Sequence, residues 1–323
     1  MRRNDPKTGI SLALMCLMIL GVMPIVSNSR PAEIDALSFA FLLSAWQFVF
    51  ALPLFLRELT STDPGIFAAS VPRPMKRRTL TVVLATGAIF GLSTYAYVLA
   101  VEKAGAVGAA IAIQSYPLFA ILWETLFLKR RKTALELVFT FALLAAIAYL
   151  ATGGTWRIEG LSIWILFALT VPFLWSVAHV ILREVLGSSP ITPAQITFFR
   201  VAVSCVFLGA LLLVRPDGSL PLSDLFNPDF QLFAIAMGAI YYLELIVWFY
   251  AMRHIDVSLA SSITAPWPAV TMVLAVVFMN ETVATYQVVA FVVVATSLYG
   301  LIYAGARKQA APKTTHEATP TET

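Results

Sequence analysis

The sequence predicts an all-α polytopic membrane protein whose ten transmembrane helices form two inverted five-helix repeats. Three observations carry that expectation. The chain is 59% hydrophobic and only 12% charged, with a mean hydropathy of +0.83, whereas soluble domains carry about 25% charged residues. The stretch Gly87 to Phe127 returns without a gap as Gly238 to Phe278, a shift of 151 that pairs Gly87 with Gly238, Ala100 with Ala251, Ala109 with Ala260 and Pro117 with Pro268. A period that long marks a duplicated half rather than a solenoid. Summed over alternate connections, Lys and Arg fall 17 on one side and 4 on the other, as the positive-inside rule requires of a multi-pass chain.

A helix crosses the hydrocarbon core with about 20 apolar residues. Segments of that kind run near 8–27, 36–56, 79–101, 105–128, 134–151, 160–182, 192–214, 231–251, 257–279 and 285–305. The first follows Arg2, Arg3 and Lys7, as a secretory leader would. No small-residue cleavage site follows Met23-Pro24, so it reads as a retained helix. Most connections are short, which makes consecutive helices antiparallel neighbours. The exception is Arg57–Arg78, a basic loop with Asp63-Pro64-Gly65 and Pro72-Arg73-Pro74 as turn signals. Beyond Ala306 the tail is polar and expected to be disordered. The units are therefore 1–152, 153–305 and the tail 306–323.

With the N-terminus in the cytoplasm, seventeen of the 22 Lys and Arg fall on the inner side and four on the outer, while Arg200 lies within a span. Both termini are then cytoplasmic. Five spans per half is an odd number, so the second copy enters the membrane from the opposite side. Basic residues confined to short loops give no argument for nucleic acid. Cys16 and Cys205 sit in apolar spans, away from any CxxC pattern, and read as small buried hydrophobes. His179, His254 and His316 are too scattered for a metal site.

Several local patterns resemble a known family. Pro117 and Pro268 lie midway along the fourth and ninth segments, Asn280-Glu281 closes the ninth, Leu174-Trp175-Ser176 lies in the sixth and Phe198-Phe199-Arg200 in the seventh. Together with the duplication, these are similar to the drug/metabolite transporter superfamily, of the EamA-like ten-helix kind, from Gly9 to Gly305. The first half departs from the pattern: Gly21-Val22-Met23 lacks the tryptophan, Gln47 stands where arginine is usual, and Lys129-Arg130 replaces the acidic member. The resemblance implies an inner-membrane permease, not an enzyme, that exports amino acids or related metabolites by alternating access. It implies no cofactor. Inverted repeats of this kind place the substrate near the midplane between the halves. The partners are then a small-molecule substrate and the bilayer, with a proton or ion as a possible coupling species; oligomeric state is left open. Two other readings stand beside it. A broad exporter of cationic amphiphiles would need Glu244 alone. An intramembrane lipid-processing enzyme would need Asp, Glu or His clustered on one face, and here the acids are scattered singly.

Ionisable groups inside the bilayer are the first candidates for the site, since each costs roughly 2.5–3.5 kcal/mol at a helix centre. Arg200 lies about 12 Å from the inner end of the seventh segment and Glu244 about 10 Å from the inner end of the eighth, at 1.5 Å per residue. Two readings stay open: a structural ion pair, or polar anchors, with Arg200 for a carboxylate or phosphate and Glu244 for an amine or a coupling proton. Ser93 occupies the position equivalent to Glu244 in the first half. Glu124 reads as a snorkelling residue and His179 as part of an interfacial cluster with Arg183 and Glu184. Aromatics are dense on the spans expected to surround the cavity: Tyr95, Tyr97, Tyr116, Trp175, Tyr241, Tyr242, Trp248 and Trp267. Most read as packing or interface-belt residues; Trp175, Tyr116 and Trp267 stand out, the last two because they immediately precede the equivalent prolines, and Tyr95 is kept as a further candidate. Pro266-Trp267-Pro268 is the sharpest helix interruption, because proline deletes a backbone hydrogen bond and frees a carbonyl. Gln47 and Gln114 offer neutral hydrogen bonding at depth, structural or functional. Gly87-Ala88-Ile89-Phe90-Gly91 reads as a close helix contact. No phosphate loop, H-E-x-x-H or G-x-S-x-G motif is present, so no ATP-driven engine and none of those hydrolytic signatures are encoded.

Overall fold

The structure, a computed structural model, describes residues 6–61, 64–116, 119, 122–123, 133–157, 159, 161–214, 226–254, 260 and 263–310. Every element among the described residues is helical: α1 (Pro6–Asn28), α2 (Ala36–Leu59), α3 (Arg73–Ala104), α4 (Ala106–Ile113), α5 (Ala134–Ala151), α6 (Ile163–Ala168), α7 (Thr170–Ser188), α8 (Pro193–Leu213), α9 (Pro228–His254), α10 (Trp267–Met279) and α11 (Thr285–Ala310), with a 3-10 turn at Gly65–Phe67. By length and composition α1, α2, α3, α8 and α9 suffice to cross a membrane; the apolar stretches Leu137–Ala151, Ile163–His179, Trp267–Met279 and Thr285–Leu301 are shorter.

Local chemistry sets the helix ends. Asp35 opens α2 by accepting from the Leu37 and Ser38 amides at 3.0 and 3.2 Å, which satisfies donors that have no intrahelical partner. Thr192 and Gln195 form a reciprocal capping box at the start of α8. Several boundaries differ from expectation, two of them at basic residues. Helix α3 begins at Arg73 rather than inside the spanning segment, so the basic residues 73–78 are helical, not loop. Extended Pro72 and a proline in the first turn, where its missing N–H costs nothing, make that start natural. Helix α11 continues to Ala310, five residues past the expected end. Pro117, Glu124, Lys129–Lys132 and the tail from residue 311 lie outside the described residues.

The packing repeats when the halves are exchanged. Helix α3 lies along α8 and α9 along α2; α1 lies along α9 and α7 along α3; α2 meets α8, and α5 meets α11. Each half's element touches the other half where its counterpart touches back, which is the pattern of a twofold-related pair. The two equivalent glycines sit at these crossings. A Cβ on Gly87 would stand 2.7 Å from Val203 Cβ and 3.3 Å from the Arg200 carbonyl; one on Gly238 would stand 2.7 Å from Trp46 Cβ and 2.9 Å from the Leu43 carbonyl. Small residues let helix backbones approach where lipid offers no hydrophobic drive.

Polar ties fasten both ends of the bundle. At one end buried Arg30 pairs with Glu102 and donates to the Ser27 carbonyl at 2.8 Å, locking the α1–α2 connection onto α3. Burial pushes the Arg30 pKa down and the Glu102 carboxylate opposes that shift. At the same end Asn28 donates to Glu281 at 3.4 Å, and burial raises the Glu281 pKa. At the other end Gln195 grips the α2–α3 connection, donating to the Pro64 carbonyl at 2.7 Å and accepting from the Ile66 amide at 3.1 Å. Beside it Thr192 donates to Glu58, and Phe55 stacks on Phe198 at 3.8 Å.

Candidate functional site

One face of α3 carries Phe90, Ser93 and Tyr97, spaced three and four residues apart and therefore stacked along the helix. The equivalent face of α9 carries Tyr241, Glu244 and Trp248, each at the shift of 151. Tyr97 and Tyr241 meet edge to face at 5.8 Å, so the two faces confront one another across the junction of the halves.

Arg200 reaches this region from α8. Its guanidinium lies over the Phe90 ring, 3.4 Å from the centroid, and the residue is 6% exposed. Among the described residues Nη1 has no hydrogen-bond partner. Arg200 and Glu244 form no direct ion pair; among the described residues the ion pairs are Arg30–Glu102 and Lys103–Glu102. They are nevertheless close enough for their charges to interact. Glu244 is only partly buried and accepts from the Cys16 thiol of α1 at 3.7 Å.

Trp175 of α7 donates to Ser93 at 3.1 Å and stacks on Tyr97 with centroids 6.5 Å apart. The Ser93–Trp175 tie between α3 and α7 is thus matched by the Glu244–Cys16 tie between α9 and α1. His179, one turn along α7 from Trp175, flanks Phe90 at 5.3 Å and Tyr116 at 6.0 Å. Arg200, Glu244, Trp175 and Tyr116 therefore belong to one neighbourhood.

Gln114 and Trp267 are drawn together a little apart from it. Helix α4 stops at Ile113 and a turn follows at Gln114–Ser115; the equivalent turn at Ala265–Pro266 precedes α10. Ala269 bonds the Pro266 carbonyl at 2.9 Å rather than that of Ala265, leaving the latter open. Gln114 Nε2 fills it at 2.5 Å, while Gln114 Oε1 accepts from Trp267 Nε1 at 2.6 Å. Pro268 lies in the first turn of α10, where its missing donor is harmless. A Gln114→Leu substitution leaves the carbonyl and the indole N–H both unpaired, so thermal denaturation of the purified variant should show a loss of about 1–3 kcal/mol.

Gln47 is buried on α2 at 4% exposure, beside the Gly238 crossing. Tyr95 packs against the apolar core and projects from the side of α3 opposite Phe90, Ser93 and Tyr97. Neither joins the cluster around Arg200. Sequence reasoning read Phe90 only as part of a close helix contact and Cys16 as a small buried hydrophobe, and left Tyr97 and Tyr241 among aromatics expected mostly to pack. The signal that finds Phe90, Tyr97 and Tyr241 is the recurrence of the same i, i+3, i+7 face in both halves; for Cys16, an ordinary apolar-span cysteine, no such signal exists.

A search of curated proteins returns no match. Among solved structures, a crystal structure described only as that of a protein superposes with a TM-score of 0.61 at 16% identity, over 92% of this chain and 98% of that one. That likeness speaks to the fold alone. The model of the EamA-like transporter family matches twice, over residues 7–152 and 162–303. With both halves of the sequence matched, this multi-pass membrane protein belongs to the EamA-like transporter family.

Proposed function

We propose that this membrane transporter of small molecules is a secondary permease of the inner membrane that exports amino acids or related metabolites. Ten spans in two inverted halves, with both termini cytoplasmic, rock about the junction formed by α2, α3, α8 and α9. The observation that carries the reading is Arg200: a cation buried at that junction, stacked on Phe90 and unpaired at Nη1. A buried guanidinium with an unfilled donor is costly, and a substrate carboxylate fills it. Glu244, held off from Arg200 and partly open, suits the ammonium end of a zwitterion. Trp175, Tyr116 and His179 border the same space. An exporter of lipophilic cations fits less well, because its substrate would meet the Arg200 charge.

Initial rates of labelled amino acid uptake into proteoliposomes test this. Glu244→Gln should lower the rate by roughly ten- to a hundredfold, the worth of a charge-assisted hydrogen bond. Unchanged rates would take Glu244 out of the site. Tags placed at Arg57 and Glu159 should report opposite sides of the bilayer, and exposure on the same side would overturn the inverted arrangement.

A further inference from the structure

Among the described residues, Arg200 Nη1 and the Tyr97 and Tyr241 hydroxyls are buried at this junction without a hydrogen-bond partner, as are the smaller Ser44 and Thr197 hydroxyls on α2 and α8. Arg200, Tyr97 and Tyr241 are 6%, 2% and 4% exposed, and they come from three different helices, α8, α3 and α9. Tyr241 stands at the centre, edge to face with Tyr97 at 5.8 Å and within electrostatic reach of both Arg200 and Glu244. Native interiors satisfy nearly all buried polar groups, so a single orphan calls for explanation. The three that gather around Tyr241, each able to donate and one of them charged, share one explanation.

We propose that Arg200, Tyr97 and Tyr241 form an oxyanion cradle that binds the carboxylate of the substrate, with the two phenols setting specificity for an oxyanion over a neutral amide. The cradle rests on the transport reading above, and it deepens it by naming the group recognised and two residues that recognise it. A carboxylate has two oxygens and about four acceptor sites, enough for one guanidinium N–H and two O–H donors at once. A carboxamide keeps one oxygen and turns the other end into a donor, which Arg200 cannot accept and which a phenol oxygen accepts only by turning its own O–H away from the ligand. Glu244 lies on the same rim and takes the cationic end, so the cradle and its counterpart together select a zwitterion. Inorganic phosphate offers the same acceptor chemistry without the ammonium.

The orphan hydroxyls give the proposal a signature that a packing role would not. Removing an unsatisfied buried hydroxyl relieves its desolvation cost. Tyr97→Phe and Tyr241→Phe should therefore melt at or above the wild-type temperature without ligand, and yet bind more weakly. Equilibrium dialysis and thermal melting of the purified full chain in detergent provide the readout. The probes are L-leucine, L-phenylalanine and L-serine, each compared with its carboxamide, and inorganic phosphate.

The expected result is binding and thermal stabilisation by at least one amino acid but not by its amide. Each Tyr→Phe change should weaken that binding by about tenfold, and Arg200→Gln should abolish it. Phosphate binding with the same dependence on Tyr97 and Tyr241 would keep the cradle and replace the amino acid as its ligand. Equal affinity for acid and amide, no shift with any probe, or undiminished binding in both Tyr→Phe variants would overturn the cradle. Oxyanion-dependent binding with no uptake in proteoliposomes would instead sink the transport reading and leave the cradle standing.

Discussion

Arg200→Gln is expected to abolish transport while leaving the protein folded. Truncating one partner of a buried charge pair costs about 2–5 kcal/mol in binding, or roughly thirty- to several-thousandfold. In the proposed site the partner is the substrate, so the loss should fall on uptake and spare stability. Had Arg200 been paired with Glu244, its removal would cost about 3–5 kcal/mol of folding energy by stranding a buried carboxylate. The structure has no such pair. What the fold loses is the stack on Phe90, worth about 0.5–2 kcal/mol, and the longer-range attraction to Glu244, offset by no longer burying a guanidinium with an unfilled donor. Thermal melting and initial uptake rates of the same preparation separate the two roles. A variant that melts far below wild type would return Arg200 to a structural part. Arg200→Lys should rescue poorly, because an ammonium lacks the planar fork that matches a carboxylate.

Gly238→Ala should show a large stability effect for a single methyl group. The added Cβ would meet the Leu43 carbonyl at 2.9 Å and the Gln47 amide nitrogen at 3.0 Å. Both are backbone atoms of α2 and neither can rotate away, so α2 and α9 must separate. Overpacking of this kind costs about 1–3 kcal/mol. Gly87→Ala, at the equivalent crossing, meets Val203 Cβ at 2.7 Å but the nearest backbone atom only at 3.3 Å. Helix α8 has more room to yield, so the first-half variant should be the milder of the two. Denaturation midpoints of both variants, measured side by side, check the order; a more severe Gly87→Ala would contradict it.

How much of this was legible beforehand differs between backbone and side chains. The helices follow from apolar stretches, and the equivalence of Gly87 and Gly238 from a gap-free shift, because both depend only on what each residue can bury. The turn at Gln114–Ser115 was foreshadowed by Pro117, which cannot donate to the Ile113 carbonyl. That Gln114 would spend both ends of its amide on Ala265 and Trp267 was not, since the partners lie more than 150 residues away. Matched depth did bring Arg200 and Glu244 to one place, but depth says nothing of azimuth. Phe90 occupies the face of the guanidinium and Cys16 one oxygen of the carboxylate, so proximity does not become a pair. Tyr95 illustrates the same blindness: two positions from Ser93 in sequence, it points to the other side of its helix.

The grip of Gln195 on residues 64–66 joins a loop of the first half to a helix of the second. Any rocking of the halves that parts this end must release those bonds, and the neighbouring Glu58–Thr192 contact with them. Three hydrogen bonds at the usual net worth amount to about 2–4 kcal/mol, a bias of roughly thirty- to a thousandfold between conformers. An unloaded carrier would then spend its idle time sealed at this end, and the slow stage of each turnover would be the unlatching that re-exposes an empty chamber there.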